Sequence, residues 1–273
     1  MVTSKEKVRL AEAQETLLIP LYSKAVMGKR HNSIFSDPKA EEILGRVEYD
    51  FSRLKIPEKT NVMMCMRAKK LDAYAREFLA RNPEAVVLHL GCGLDSRCVR
   101  VDRGESEWYD LDMPDVIALR RKFYEESGRY HLIPSSVTDL QWVDSVKAQG
   151  RPVLVIAEGL LMYLKAEEVK ALILKLREAF PGCEMAFDAF SMQTVRRMSQ
   201  HPSIKSTGAT IYWGIDDAQD IEKWADGIRL KEEWYFTDSE DIDKLGLVYR
   251  LSFRLAGLFS MARKAQRILY YSL

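Results

Sequence analysis

From Glu84 onward, short apolar runs alternate with longer amphipathic stretches. EAVVLHL, EWYDLDM, RYHLIP, PVLVIAEG and CEMAFDAF are rich in β-branched and aromatic residues and too short for helices, so each predicts a strand. PDVIALRRKFYEES and KAEEVKALILKLREAF carry apolar residues at helical spacing and predict the helices between them. Strands alternating with helices predict an α/β fold, a doubly wound parallel sheet with right-handed crossovers. After Phe190 the regularity fades. SMQTVRRMSQ predicts a helix, and HPSIKSTGATIYWGIDD reads as part of an insertion near residues 200–225. IRLKEEWYF predicts a strand, YRLSFRLAGLFSMARKA a helix and QRILYYSL a last strand, expected to close the sheet antiparallel. The chain before Glu84 predicts helices over Lys5 to Gly28, over DPKAEEILGRV and over NVMMCMRAKKLDAYAREFLARN. In the third, Met63, Met66, Leu71, Tyr74, Phe78 and Leu79 recur at helical spacing, and Asn82-Pro83 ends it. The organisation expected is a helical cap segment, 1–83, ahead of an α/β core, 84–273. The same helices serve equally well as a homodimer contact, and the sequence does not derive an oligomeric state.

Composition narrows the partners. The chain has 273 residues, 47% of them hydrophobic, with 41 basic and 40 acidic side chains for a net charge of +1. That size supports one sizeable domain with an accessory segment. No basic stripe or Lys/Arg block is present, so no nucleic-acid partner is expected. No uncharged run approaches the ~20 residues that span a bilayer, and the first residues lack an apolar signal core, so no membrane role is expected. Cys65, Cys92, Cys98 and Cys183 are scattered, without C-x-x-C or a histidine pairing. They predict reduced thiols in a cytoplasmic protein and no metal site.

The chemistry concentrates in HLGCGLDSR, directly after the first strand of the core. Gly91 permits a sharp exit from the strand, and Gly93 lets backbone approach a ligand with no Cβ in the way. In open α/β sheets such a loop lies where strand order reverses and ligands bind. The next strand supplies Asp110 and Asp112, 19 and 21 residues beyond Gly91. A carboxylate at that distance accepts hydrogen bonds from a ribose diol, which predicts an adenosine-containing ligand. Alternation puts both aspartates on one face; Asp112, at the strand end before Pro114, is the expected ribose ligand. A dinucleotide would bring a pyrophosphate to the following helix N-terminus. There the sequence places Asp95, expected to cap the helix and to repel a phosphate. With Asp112 and Glu158, Asp95 forms an acidic collar suited to a ligand that carries a sulfonium and an ammonium and no phosphate. The loop thus favours S-adenosyl-L-methionine over a nicotinamide dinucleotide.

LGCGLDSR, then WYDLDMPDVIALRR, then AEGLLMYL resemble the leucine carboxyl methyltransferase family of class I methyltransferases, most closely its bacterial polyketide-type O-methyltransferase branch. The likeness extends over nearly the whole chain, including TLLIPLYSKAV, EYDFSRL and NVMMCMRAKKLDAYAREFL. It implies a Rossmann-like methyltransferase core in which Gly91 and Gly93 line the cofactor, Asp112 binds its ribose, and Glu158 with Gly159 lies beside its methionine portion. Arg67 would pair with the cofactor carboxylate, where a guanidinium fork binds bidentately. SSVTDL occupies the adenine-edge segment with Ser136 and Val137; many relatives carry an aspartate at the Ser136 position, and a hydroxyl still accepts the adenine amino hydrogen. His89 departs from the acidic residue common two positions before the first glycine.

The expected activity is methyl transfer to a carboxylate or hydroxyl of a small, polyketide-like or aromatic acceptor. A carboxylate acceptor is ionised near neutral pH and needs no base, whereas a phenol near pKa ~10 benefits from one. No catalytic residue is assigned; Tyr163, His201, Tyr212 and Trp213 are the pocket candidates. The competing readings are methyl-esterification of a protein C-terminal carboxylate, a nicotinamide-dependent dehydrogenase, and a protein that holds the cofactor without turnover.

Overall fold

A computed structural model of the chain describes residues 6–7, 17–29, 33–54, 56–199 and 210–273. His201 and the first part of the expected insertion lie outside the described residues.

The core is a seven-stranded sheet with five strands in parallel. In chain order the strands are β3 (Val86–Leu90), β4 (Glu107–Asp112), β5 (Tyr130–Pro134), β6 (Val153–Ala157), β7 (Glu184–Phe190), β8 (Arg229–Tyr235) and β9 (Gln266–Ser272). Their order across the sheet is β5-β4-β3-β6-β7-β9-β8, and β9 runs antiparallel to both β7 and β8. The doubly wound sheet with a late antiparallel strand therefore forms as its hydrophobic pattern predicts. The β3 and β6 runs are buried along their whole length because both faces are covered. On one face the long helix α3 (Glu58–Arg81) lays Leu71, Tyr74 and Phe78 over Val87, Leu154 and Ile156. On the other, α6 (Ala166–Ala179) presents Val169, Leu172, Ile173 and Leu176 to Val86, Leu88 and Val155. Alternation along β3 therefore turns His89 toward the α3 side.

The remaining helices bracket this core. α1 (Leu18–Gly28) and α2 (Pro38–Arg46) pack together, with Leu18, Leu21, Ala25, Ala40 and Ile43 in one apolar cluster with Leu119 and Phe123. Asp37 caps α2 by accepting the Ala40 amide at 2.9 Å, and Pro38 opens the helix with φ preset. α4 (Arg97–Val101) follows the glycine loop, α5 (Pro114–Arg120) follows β4, and α7 (Met192–Ser199) follows β7. α8 (Leu247–Gly257) and α9 (Ser260–Arg263) lie between β8 and β9.

Three expectations are corrected. Of the helix expected over Lys5 to Gly28 the described residues show α1, whereas Glu6–Lys7 is a two-residue strand, β1, paired parallel with Val47–Glu48, β2. The helix expected over PDVIALRRKFYEES stops at Arg120, where Phe123 and Tyr124 turn back to bond Arg120 and bury their rings. The helix expected over YRLSFRLAGLFSMARKA breaks into α8 and α9 just past Gly257, where Phe259 is extended.

Candidate functional site

The strand order reverses between β3 and β6, so the loops after these strands and after β4 gather at one edge. Register sets a common level: Leu90 pairs with Leu111 on one side and Ala157 on the other, which places Gly91, Asp112 and Glu158 each one residue past that row. Gly91 has φ +63° and Gly93 φ +52°, the left-handed region. A Cβ on Gly91 would also stand 3.0 Å from Leu160 Cδ1. The amides of Gly93 and Met113 each donate at 2.8 Å to one oxygen of Asp112. Burial raises the Asp112 pKa, offset in part by those two amides. Among the described residues it carries no salt bridge. Asp110 is spent elsewhere: fully buried, it accepts from Arg120 and Tyr130. That settles which aspartate faces the edge.

Beside the glycine loop lies a lattice of buried ions that joins distant stretches of chain. Asp95 binds Lys24 at 2.8 Å and Arg100 at 2.7 Å. Arg100 continues to Asp37 at 2.7 Å and to Asp72 at 2.8 Å. Arg97 joins Asp72 at 2.8 Å to Glu158, and Arg67 joins Glu158 at 3.1 Å to Asp188 at 2.8 Å. His89 sits inside, with Nε2 2.9 Å from Arg97 Nη1 and Nδ1 3.4 Å from Asp110 Oδ1. Because a guanidinium only donates, Nε2 accepts from Arg97 and the ring proton sits on Nδ1.

This arrangement changes the electrostatic argument. Asp95 does not cap α4; Ser96 occupies that position, without a side-chain cap bond, and the Asp95 carboxylate is turned to its cations. The collar is not bare acid either. Five carboxylates (Asp37, Asp72, Asp95, Glu158, Asp188) face four cations (Lys24, Arg67, Arg97, Arg100), leaving a small negative excess to which Asp112 adds. Burial opposes ionisation of Glu158, but Lys24, Arg67 and Arg97 overcome it and hold its carboxyl at about 2. For Asp95, burial is likewise outweighed by Arg100, Lys24 and Arg97, and its pKa lies well below the usual carboxylate range. Arg67 spends Nε on Glu158 and Nη1 on Asp188. Its Nη2 bonds no described residue and lies against Gly159, where a Cβ would come within 3.2 Å. Gly159 has φ +66° and donates its amide to Asp188 at 2.6 Å. The site thus presents a carboxylate without a cation, an open guanidinium edge and three left-handed glycines.

The other expected site residues fall around this centre in different ways. Ser136 is half-buried and shares a 2.8 Å hydroxyl–hydroxyl bond with Thr138. The Val137 side chain points into the sheet core, and its carbonyl accepts from the Trp142 indole. Tyr163 packs at the margin of an apolar cluster of Met162, Phe190, Val195 and Ile211. Trp213 belongs to the sheet core, tilted against Phe187, while Tyr212 is exposed. The amides of both bond the Met162 carbonyl at 3.2 and 2.8 Å, stitching this segment to the turn after β6. Sequence reasoning missed Lys24, Asp72, Arg97, Arg100 and Asp188. The available signal was a lone charge inside an apolar run, as with Lys24 in LIPLYSKAVM and Asp188 in EMAFDAF.

A parallel sheet with a late antiparallel strand, a glycine loop at the switch point and an acidic residue at the next strand end define the class: this is a class I, S-adenosylmethionine-dependent methyltransferase. The comparisons make the family specific. The model of the family described as leucine carboxyl methyltransferase matches residues 18–177, and the chain belongs to that family. It is 40% identical over 235 residues to the tetracenomycin polyketide synthesis O-methyltransferase TcmP of Streptomyces glaucescens, covering 86% of this chain and 87% of that protein. To the S-adenosyl-L-methionine-dependent methyltransferase dpfgK of Gibberella zeae it is 33% identical over 253 residues, 85% of each chain. Among solved structures, a DUF574 family protein from Streptomyces avermitilis shares the fold at TM-score 0.60 and 12% identity, over 94% of this chain and 96% of that one. Magnesium protoporphyrin IX methyltransferase from Synechocystis, solved with bound S-adenosylhomocysteine, gives a TM-score of 0.51 at 13% identity, over 95% and 99%.

Proposed function

We propose that the protein transfers a methyl group from S-adenosyl-L-methionine to a carboxylate or hydroxyl oxygen of a small, apolar, polyketide-like acceptor. The observation that carries the reading is the pairing, at one sheet edge, of a cation-free carboxylate, Asp112, with the open Nη2 edge of Arg67. The two fit the two ends of the cofactor. Asp112 would take the ribose hydroxyls on the lone pairs its two amides leave free, and Arg67 would hold the cofactor carboxylate. Gly91 and Gly93 supply bare backbone beside it. Glu158 and Gly159 would flank its methionine portion, and Ser136 and Val137 the adenine edge. Asp95 contributes through the lattice. The slight negative excess of that lattice offsets the net positive charge that a sulfonium, an ammonium and one carboxylate carry together.

When bound, the cofactor supplies an electrophilic methyl carbon. The chain aligns and dries the site, which is where most of the rate gain of an in-line displacement arises. Beyond the ends of β6 and β7 the residues are apolar: Met162, Phe190, Val195 and Ile211, with Tyr163 at their margin. Packing beside this cluster would suit a flat, apolar acceptor, and the name of the 40% identical relative supports the same substrate class. Titration calorimetry with S-adenosyl-L-methionine tests the site. Arg67→Ala and Asp112→Ala each remove a charged hydrogen-bond partner worth ~1.5–3 kcal/mol, so each weakens binding by about 10- to 100-fold. Wild-type affinity in both variants overturns the assignment, as does a thermal shift with a nicotinamide dinucleotide and none with S-adenosyl-L-methionine. Methyl incorporation into aromatic polyketide carboxylates and phenols, against a peptide ending in a free leucine carboxylate, separates the acceptor classes. Transfer only to the peptide refutes the small-molecule reading.

A further inference from the structure

Large apolar side chains stand exposed on this protein mainly in one place. Of the ten such residues among the described ones, seven lie between Leu247 and Met261. On α8 they recur as Leu247 and Val248, Leu251 and Leu255, continuing through Leu258 and Phe259. Leu247, Val248, Leu251 and Leu255 share one side of α8, and Leu258 and Phe259 follow at its end. The opposite side of α8 is apolar as well: Phe253 is buried against Val62 and Met66 of α3. A surface helix of a self-sufficient domain has one apolar stripe, and a helix apolar on both sides is covered on both. Only the inner cover is supplied by this chain's described residues.

We infer that the outer face of α8, with the turn into α9, is a self-association surface occupied by the same face of a second copy of this chain across a two-fold axis. The exposed stripe has the right size. Fractional exposures of 50–78% over these seven residues amount to roughly 900 Å² of surface on apolar residues, close to the ~800 Å² each partner contributes to a standard interface. Patches on monomeric proteins are typically about 300–600 Å². Charge favours a copy over a lipid surface. Three cations bordering the stripe are neutralised within the chain, Arg254 on Asp243, Arg263 on Asp238 and Lys244 on Asp241, which leaves Arg250 of α8 without an ion pair among the described residues. A helix built for anionic lipid keeps its cations free, whereas an apolar face bordered mostly by internally paired charges meets itself with little like-charge contact. The surface also adjoins the functional site. Phe190 pairs with Gln266 and Tyr235 with Arg267, so the connection carrying α8 springs from the same sheet edge as the ligand loops.

Sedimentation velocity over a dilution series of the full chain tests this. Wild type is expected at twice 31.5 kDa. Leu251→Glu and Leu255→Glu are each expected to raise the dimer dissociation constant by about 100-fold or more, since each places a buried, unpaired charge twice in the interface. Leu255→Ser, which adds no charge, shifts it in the same direction. Val99→Glu, at an exposed apolar residue outside the stripe, leaves the dimer intact. Unchanged far-UV circular dichroism and S-adenosyl-L-methionine affinity in the variants establish that they fold. Wild type at the monomer mass throughout overturns the proposal. So does a dimer indifferent to all three stripe substitutions. A monomer that co-sediments with phosphatidylglycerol vesicles and is released by Leu251→Glu would assign the face to lipid instead.

Discussion

Replacing Glu158 by glutamine keeps its shape and removes its charge from the centre of the ionic lattice. The carboxylate accepts from Arg67 Nε and Arg97 Nη2, and its side chain is 5% exposed. Its pKa lies near 2 in the folded chain against an ordinary 4.5. At about 1.4 kcal/mol per pKa unit, that gap corresponds to about 3 kcal/mol of stabilisation. The sign follows from the depressed value. The unfolded chain binds the proton more readily, so the contribution is complete above pH 4.5 and drains away as pH falls toward 2. Glutamine mimics the protonated acid. The expected result is a variant about 3 kcal/mol less stable than wild type at pH 7, or roughly 6–12 °C lower in Tm. The difference should shrink steadily between pH 4.5 and pH 3. Urea unfolding of both proteins at pH 7, 5, 4 and 3 measures it. A difference that is absent at pH 7, or that persists undiminished at pH 3, refutes the account of Glu158 as an ion held by its arginines.

Two further outcomes follow from local geometry. Gly91→Ala combines a left-handed φ with a Cβ 3.0 Å from Leu160; it should cost about 1–3 kcal/mol by thermal unfolding and weaken cofactor binding, whereas Gly104→Ala, where no atom lies within 4 Å, should cost only the backbone strain. All four thiols should be slow toward a disulfide reagent at pH 8 in the native protein and fast in denaturant. Burial pushes Cys65, Cys98 and Cys183 up to about 12 and Cys92 well above its ordinary value, so a rapidly reacting native thiol would contradict that environment.

What the sequence made legible follows from the range of the forces involved. The strands of the parallel sheet were readable because both faces are buried, so apolar runs mark them without help from neighbours. Gly91, Gly93 and Asp112 were readable because backbone conformation and strand-end position constrain residue type locally. Asp95 was misread for the opposite reason. Its position before a short helix suggests a cap, but Lys24 and Arg100 approach from elsewhere and outbid the local amides. Arg67 was placed by family resemblance, yet its bonds to Glu158 and Asp188 reach 91 and 121 positions along the chain. No local pattern encodes such pairs. The early end of α5 belongs with them, since Arg120 is pinned to Asp110 and to the Gly93 carbonyl by tertiary contacts.

The ionic lattice also constrains the order in which the molecule can be assembled. Its members come from α1, the start of α2, α3, the glycine loop, α4, the end of β6 and the middle of β7. A nascent chain that has emerged only as far as β5 already holds Lys24, Arg67, Arg97 and Arg100, but neither Glu158 nor Asp188. Lys24, Arg97 and Arg100 would already find Asp37, Asp72 and Asp95, but α3 would have to bury Arg67 ahead of both its counter-charges, an arrangement costlier than staying open to water. The Arg67 end of the ligand edge is therefore the part that waits for β7, because both of its carboxylates arrive last.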